Sequence, residues 1–369
     1  MKSEIHTLGV EEEFHIHDKG SCQLTSKADL LVNDLPVESE NGAIKYELSL
    51  SQVEISTPVC TTLAELSCNL YRLRRIGADR AALIDCALVP SGTPPLGDAS
   101  EQTIVSGKRY GRLRECGQGL VREHLTAALH VHVGVPERAV AVAASNWIRP
   151  WLPTLTALTS NSPYWLGVDT GFSSWRTVHC WRWPVSGPPP VFDSDIEYDD
   201  LLRRLIDVGV IVDAGMAYWD VRLSARYPTL EIRLPDVPCR AAESVMVAGL
   251  VRALVILGSR IVLGGRPLAG VANEILRGSL FLAARDGLDA VLPNPLHPER
   301  SVSARDALEI LVECVRPTLE DLGDDQLVIA KVKGILEEGT GASRQRRAAG
   351  AAGDLVGLVR WLAEEMISE

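Results

Sequence analysis

The chain has no C-x-x-C pair among its eight cysteines, so the close thiol pairs of zinc ribbons and dithiol redox sites are missing. At 369 residues it can bury a core without disulfides. Cys22, Cys60, Cys68, Cys86, Cys116, Cys180, Cys239 and Cys314 therefore read as reduced packing residues. Positive charge is also in short supply. A formal net charge of −11 and a pI near 5.3 argue against broad binding to nucleic acid. An unbroken apolar span is lacking too. The longest candidate, VMVAGLVRALVILGSRIVLGG, is interrupted by Arg252 and Arg260, and reads as a buried or amphipathic helix rather than a membrane span. The first residues, MKSEIHTLGVEEEF, hold no apolar segment of a secretory signal. What is left, 46% hydrophobic and 23% charged, is an ordinary globular protein expected in the cytoplasm. No repeat or linker divides it, and one domain over residues 1–369 is expected.

Residues 6–17 read as a strand, and AIKYELSLSQVEISTPV as one or two more, ending at Pro58. TTLAELSCNLYRLRRIGADRAALIDCA spaces Leu63, Leu66, Leu70 and Leu73 as one helical stripe behind a threonine cap. A strand ends near Pro136, and helical residues broken around Pro150 and Pro153 follow. Tyr164 to Asp195, rich in Gly, Ser, Trp and Pro, reads as a long ordered loop of functional character. WDVRLSARYPTLEIRLPDVP reads as a hairpin. AAESVMVAGLVRALVILGSRIV and SARDALEILVECVRPTLEDL read as long helices, and EEGTGASRQRRAAGAAG as a polar loop before a last helix. Strands that come as hairpins predict an α+β fold with an antiparallel sheet.

Alternate side chains of a strand face opposite ways. Val10, Glu12, Phe14 and Ile16 thus share one face of the first strand, and Glu11, Glu13, His15 and His17 the other. Glu54, His130, His132, Asp220, Arg222, Glu231 and Arg233 likewise oppose aliphatic neighbours on their own strands. A merely solvated face would carry Thr, Ser and Lys. This one carries Glu, His and Arg. Clustered carboxylates with an occasional histidine suit Mg²⁺ or Mn²⁺ better than zinc. Arginines beside such a cation suit phosphoryl transfer from a nucleotide, although neither a P-loop nor the protein-kinase motif set occurs. Two readings compete: a zinc hydrolase built on the HVHVG histidines, and a nucleotide-binding protein without catalysis. Glu12, on the apolar side, needs a partner there. His15 and His17 are expected behind the site or at its rim, and Asp220 and Arg222 to pair across its wall.

TLGVEEEF, ELSLSQVEISTPVC, LHVHVGV, TSNSPYWLGVDTGFSSWR, WDVRLSARYPTLEIRLPDVP and GASRQR follow the order and spacing of a known family. From about residue 6 to the last helix the chain resembles the YbdK-like carboxylate–amine ligases, or type 2 glutamate–cysteine ligases. The resemblance implies the glutamine synthetase and guanido kinase-like catalytic fold, with a curved antiparallel sheet forming a funnel and helices packed on its outer face. It implies that ATP phosphorylates a carboxylate, the γ-carboxylate of glutamate in the named reaction, and that an amine attacks the acyl phosphate. Implied metal ligands for Mg²⁺ or Mn²⁺ are Glu11, Glu13, Glu54, His132 and Glu231, with Glu47 where relatives often have an acid. Arg233 and Arg176 are the implied catalytic arginines. Arg233, Arg344 and Arg346 are the candidate ATP contacts, and His130, Arg176, Trp175 and Asp169 the candidate substrate contacts. Pro94 departs from the family, where a histidine is common. Small-molecule carboxylate and amine partners are implied, with no nucleic acid or membrane, and a homodimer is compatible with the resemblance.

Overall fold

Apolar and charged residues alternate along LGVEEEFHIHD, and this stretch is the central strand of a seven-stranded antiparallel sheet. The computed structural model describes residues 6–32, 42–265 and 270–368. The strands of the sheet are β1 (Leu8–Asp18), β2 (Ala43–Tyr46), β3 (Gln52–Ser56), β4 (Cys86–Val89), β5 (Leu129–Gly134), β6 (Val221–Leu223) and β7 (Thr229–Ile232). Their order is β6-β7-β5-β1-β3-β2. The long β1 shares one edge between two partners: Leu8–Glu12 pair with β5, and His15–Asp18 with β4. Its other edge pairs with β3, bringing Glu13 opposite Glu54.

The aliphatic face, with Val10, Phe14, Ile16, Val53, Ile55, Val131, Val133, Leu230 and Ile232, is buried under helices. The Leu63–Leu83 helix starts in a capping box formed by Thr62 and Glu65, which satisfies free amides at its first turn. Its Leu63, Leu66, Leu70 and Leu73 turn inward. Ala241–Leu263 is long and apolar enough to cross a membrane, yet it is a core helix enclosed by its neighbours. Its Arg252 is buried, pairs with Asp324 and donates to the Thr61 carbonyl at 2.8 Å. The architecture is the expected α+β one.

Two segments differ from the sequence-based expectation. Trp175–Cys180, inside the supposed loop, is a short helix capped by Ser174. GASRQRRAAGAA is also helical, running Gly341–Ala352 from a Thr340 cap to Gly353 in the left-handed region. Glycine there marks close packing as well as a stop. A Cβ on Gly341 would lie 2.1 Å from Asn161 Oδ1, so only glycine fits that approach.

Three of the recurring motifs meet in one polar knot. Asp236 accepts hydrogen bonds from Asn161 N at 2.8 Å, Ser162 Oγ at 2.7 Å and Ser174 Oγ at 2.9 Å. Gln345 Nε2 donates to Asn161 O at 2.9 Å and Asn161 Oδ1 at 2.7 Å. The knot ties the end of the hairpin to the 161–174 segment and the 341–352 helix.

Behind the sheet, Glu12 is fully enclosed and bound by Arg74, whose Nε and Nη2 lie 2.9 and 2.6 Å from its two oxygens. Ser244 Oγ donates to the same carboxylate at 2.5 Å. Arg74 also donates to the carbonyls of Cys239 and Pro238, at 2.8 and 3.1 Å. Removing one member of such a pair leaves the other charge buried and unpaired. Arg74→Ala is therefore expected to lower folding stability by about 3–5 kcal/mol, read as a shifted denaturation midpoint. The Glu12→Leu/Arg74→Met double variant should lose less than the sum of its single changes.

Candidate active site

On the polar face the strand register assembles a row of charge. His130 stands opposite Glu11 and His132 opposite Gly9, and Glu231 is flanked by His132 on β5 and Arg222 on β6. Glu54 lies between Glu13 and Lys45. Their charged and imidazole side chains line a cavity of about 350 Å³, together with Glu47, Tyr110, His124, Arg176, Tyr218 and Asp220.

Within the cavity two sets of three ligands come together. Glu11, His132 and Glu231 each offer an atom within 4.8 Å of the others, and so do Glu13, Glu47 and Glu54. His132 Nδ1 lies 2.9 Å from Thr229 Oγ1, which fixes the ring. Its Nε2 is sealed from solvent with no hydrogen-bond partner, 3.7 Å from Glu11 and 4.0 Å from Glu231. A cation there would satisfy that nitrogen and both carboxylates, so these residues fit a metal. The second set is all carboxylate, which suits a hard divalent ion.

The electrostatics divide the cavity. Burial pushes Glu13 up to about 8, with Glu47 adding to the effect against Arg176 and Arg233. Glu54 is driven well above the usual carboxylate range by burial and by Glu11 and Glu47, and Glu47 is raised by burial. Burial also works to raise Glu11 and Glu231. The nearby His130, within hydrogen-bond reach, and His132 overcome it at Glu11, and the Arg233 and Arg222 charges do so at Glu231, leaving both well below the usual range. Arg222 holds Glu231 through Nε at 2.8 Å and Nη2 at 3.2 Å, and Arg233 pairs with the same carboxylate. Burial lowers His130 to about 4, so it is neutral, with Nδ1 3.3 Å from Glu11 and Nε2 3.7 Å from Glu13.

Glu11, Glu13, Glu47, Glu54, His130, His132, Arg176, Glu231 and Arg233 all line this cavity. Arg176 directs Nη1 and Nη2 at the carbonyls of Leu234 and Arg233, each at 2.9 Å, so it braces the strand that carries Arg233. Four expected contacts lie elsewhere. Trp175 packs on Phe172, centroids 5.4 Å apart, and lines a separate cavity with Trp165 and His179. Helical neighbours diverge by about 100°, so Trp175 and Arg176 cannot face one site. Asp169 takes Arg346 at 2.9 and 2.7 Å and caps its own turn through Gly171 N. Arg344 is buried against Glu243 at 2.5 Å. These three serve the 341–352 helix and its contacts. Arg222 pairs with Glu231 rather than Asp220. His15 and His17 are sealed beneath the site, not at its rim, and burial lowers both. Pro94 is buried outside the cavity, its carbonyl taking Leu166 N at 3.0 Å. His124 and Tyr218 were missed: His124 lies on no strand, and Tyr218, on the same alternation as Asp220 and Arg222, precedes the hairpin as it is read from the sequence.

A family model described as glutamate–cysteine ligase family 2 matches residues 7–360. The chain is 38% identical to a Nocardia farcinica protein provisionally named glutamate–cysteine ligase 2-1, over 96% of this chain and 91% of that one. It is 40% identical to a Mycolicibacterium vanbaalenii protein provisionally named glutamate–cysteine ligase 2-2, over 94% of each. Among solved structures it resembles the glutamate–cysteine ligase of Francisella tularensis in complex with AMP. That match has a TM-score of 0.75 at 13% identity, and covers 99% of this chain and 90% of that chain. A bifunctional glutathione synthetase from Pasteurella multocida matches with a TM-score of 0.67 at 16% identity, over 98% of this chain and 51% of that one.

The raised carboxylates have a consequence for stability. Glu13 keeps its proton in the folded protein up to about 8 but ionises near the ordinary value when unfolded. The folded state then binds more protons, and stability falls as pH rises between those values. The buried histidines His17 and His130 have lowered values and act oppositely, but only below their ordinary value near 6.5. Without divalent cation, melting temperature should fall from about pH 6.5 to about pH 8, and Glu13→Gln should flatten that slope in a thermal-melt series.

Proposed function

The chain belongs to glutamate–cysteine ligase family 2, and on that premise we propose that it joins the γ-carboxylate of glutamate to an amine. It is an ATP-dependent ligase that forms a C–N bond. The finer reading rests on one observation: two three-ligand clusters share a single cavity with Arg233. Glu11, His132 and Glu231 would hold one cation, and Glu13, Glu47 and Glu54 another. Bound there, Mg²⁺ or Mn²⁺ would supply positive charge to neutralise the phosphate and carboxylate oxygens.

The remaining work falls to the chain itself. Arg222 and Arg233 keep Glu231 ionised, ready to act as a ligand. Arg233, braced through its backbone by Arg176, offers its guanidinium to the transferring phosphoryl group, where a fixed cation stabilises growing charge. A second, more apolar cavity of about 880 Å³ opens from the first and shares Glu11, Lys45, His132 and Tyr227 with it. Its Leu8, Val59 and Pro228 suit a nucleoside, with the phosphates directed toward Glu11 and His132. On this reading ATP lies at the outer end and the carboxylate by Glu13.

Each cluster contains at most one imidazole, which favours a hard cation over the two-histidine zinc hydrolase. Phosphate release from ATP and Mg²⁺ with L-glutamate, measured against a panel of amino acids and amines, should be stimulated by one acceptor. Glu54→Gln and Glu231→Gln should each lower that turnover by about 100-fold or more while the protein still melts cooperatively. Near-normal rates in both would overturn the ligand assignment.

A further inference from the structure

Asp220 sits immediately before β6, its main chain held by its N–H to Gly187 O and by Arg233 N to its own carbonyl, each at 2.8 Å. Its side chain lines the deep wall of the cavity, and its Oδ2 is closed off from solvent without a hydrogen-bond partner. A carboxylate oxygen left in that state costs free energy unless a donor arrives. Of the three arginines whose charge Asp220 feels, two are already engaged and Arg277 lies over the Trp181 ring, 5.0 Å from its centroid. Arg233 is bound to Glu231, and Arg176 to two carbonyls.

The same cavity wall presents a donor of fixed orientation. Trp183 Nε1–H can only donate, and it does so to His124 Nδ1 at 3.1 Å. Burial, with His179 and Arg176 nearby, keeps His124 neutral, pushed down to about 3. Its one proton is therefore on Nε2. Thr126, Thr177 and Cys180 line the same compartment, and Cys180 is near enough to feel both Glu13 and Asp220. The compartment thus touches the proposed carboxylate end of the funnel.

We propose that Asp220 binds the ammonium group of the acceptor amine and takes the proton that frees its nitrogen for attack. This rests on the ligase reading above. The ammonium loses one proton to the Asp220 carboxylate. The nitrogen lone pair then forms the C–N bond at the acyl carbon as the C–O bond to phosphate breaks. Phosphate departs with that electron pair and receives the second nitrogen proton. Burial lifts Asp220 to about 7 despite Arg176, Arg277 and Arg233, which suits a group that must accept a proton near neutrality.

Hydroxylamine supplies the test, because at about pH 8 it is already unprotonated and needs no base. Acyl phosphate formed from L-glutamate and Mg-ATP is captured by it as a hydroxamate. In Asp220→Asn, amide formation with the best amine of the panel should fall about 100-fold or more. Hydroxamate formation should stay within about threefold of wild type, which also shows the variant to be folded. Equal loss of both activities, or retention of both, would overturn the role. Asp220→Ser is read the same way, so that one unfolded variant does not decide. If the wild type yields no hydroxamate, the ligase reading itself fails and the role of Asp220 fails with it.

Discussion

Glu12 and Arg74 meet behind the sheet with two hydrogen bonds and almost no exposure, and this pair fixes which way β1 faces. Three consecutive glutamates would otherwise leave the strand with two nearly equivalent settings. A one-residue slip would exchange every side chain between the faces. Glu11 and Glu13 would then enter the apolar layer beside Val53, Ile55 and Val131 of the neighbouring strands, where a lone charge is costly. Because Arg74 accepts only Glu12, the other two carboxylates are committed to the cavity. The same guanidinium reaches the carbonyls of Pro238 and Cys239, so the segment after the hairpin is fixed to the same point. Register, helix packing and site are then parts of one constraint.

With the register set, cross-strand pairing produces an uneven field. β7 and β6 bring Arg233 and Arg222 to Glu231, and β5 brings His130 and His132 to Glu11. Both carboxylates stay ionised for that reason. On the opposite side β3 brings only another acid, and like charges directly opposed on neighbouring strands repel. Burial, reinforced by repulsion from Glu47, leaves Glu13 and Glu54 favouring their protons. One side of the cavity is already charge-compensated by the protein. The other side is compensated only when a cation or protons are supplied.

Much of this could be read from alternation. The split of Glu11 and Glu13 from Glu12, the need for a partner to Glu12, and the polar faces of β3, β5 and β7 all follow from a period of two. The partner's identity did not follow, because Arg74 lies on a helix whose docking angle no local pattern encodes. The late arginines illustrate the opposite error. GASRQR recurs in position and spacing, which suggested ligand contact for Arg344 and Arg346. Its contacts are instead Gly341 against Asn161 and Gln345 bonded to it, a packing demand that needs no ligand. The Tyr164–Asp195 stretch misled through composition: its Ser174 both caps the Trp175–Cys180 helix and donates to Asp236.

That Asp236 knot bears on the site through Arg176. The arginine's backbone N–H donates to Ser162 Oγ at 3.1 Å, and Ser162 belongs to the knot. Its guanidinium grips the carbonyls of residues 233 and 234. A shift of the 161–174 segment would therefore pull on the backbone of Arg233, which pairs with Glu231 and whose N–H bonds the Asp220 carbonyl. The ligand cluster at Glu231 and the cavity wall at Asp220 are thus joined through a single residue. Two parts of one cavity are held at a fixed separation by backbone hydrogen bonds rather than by contacts between their own side chains.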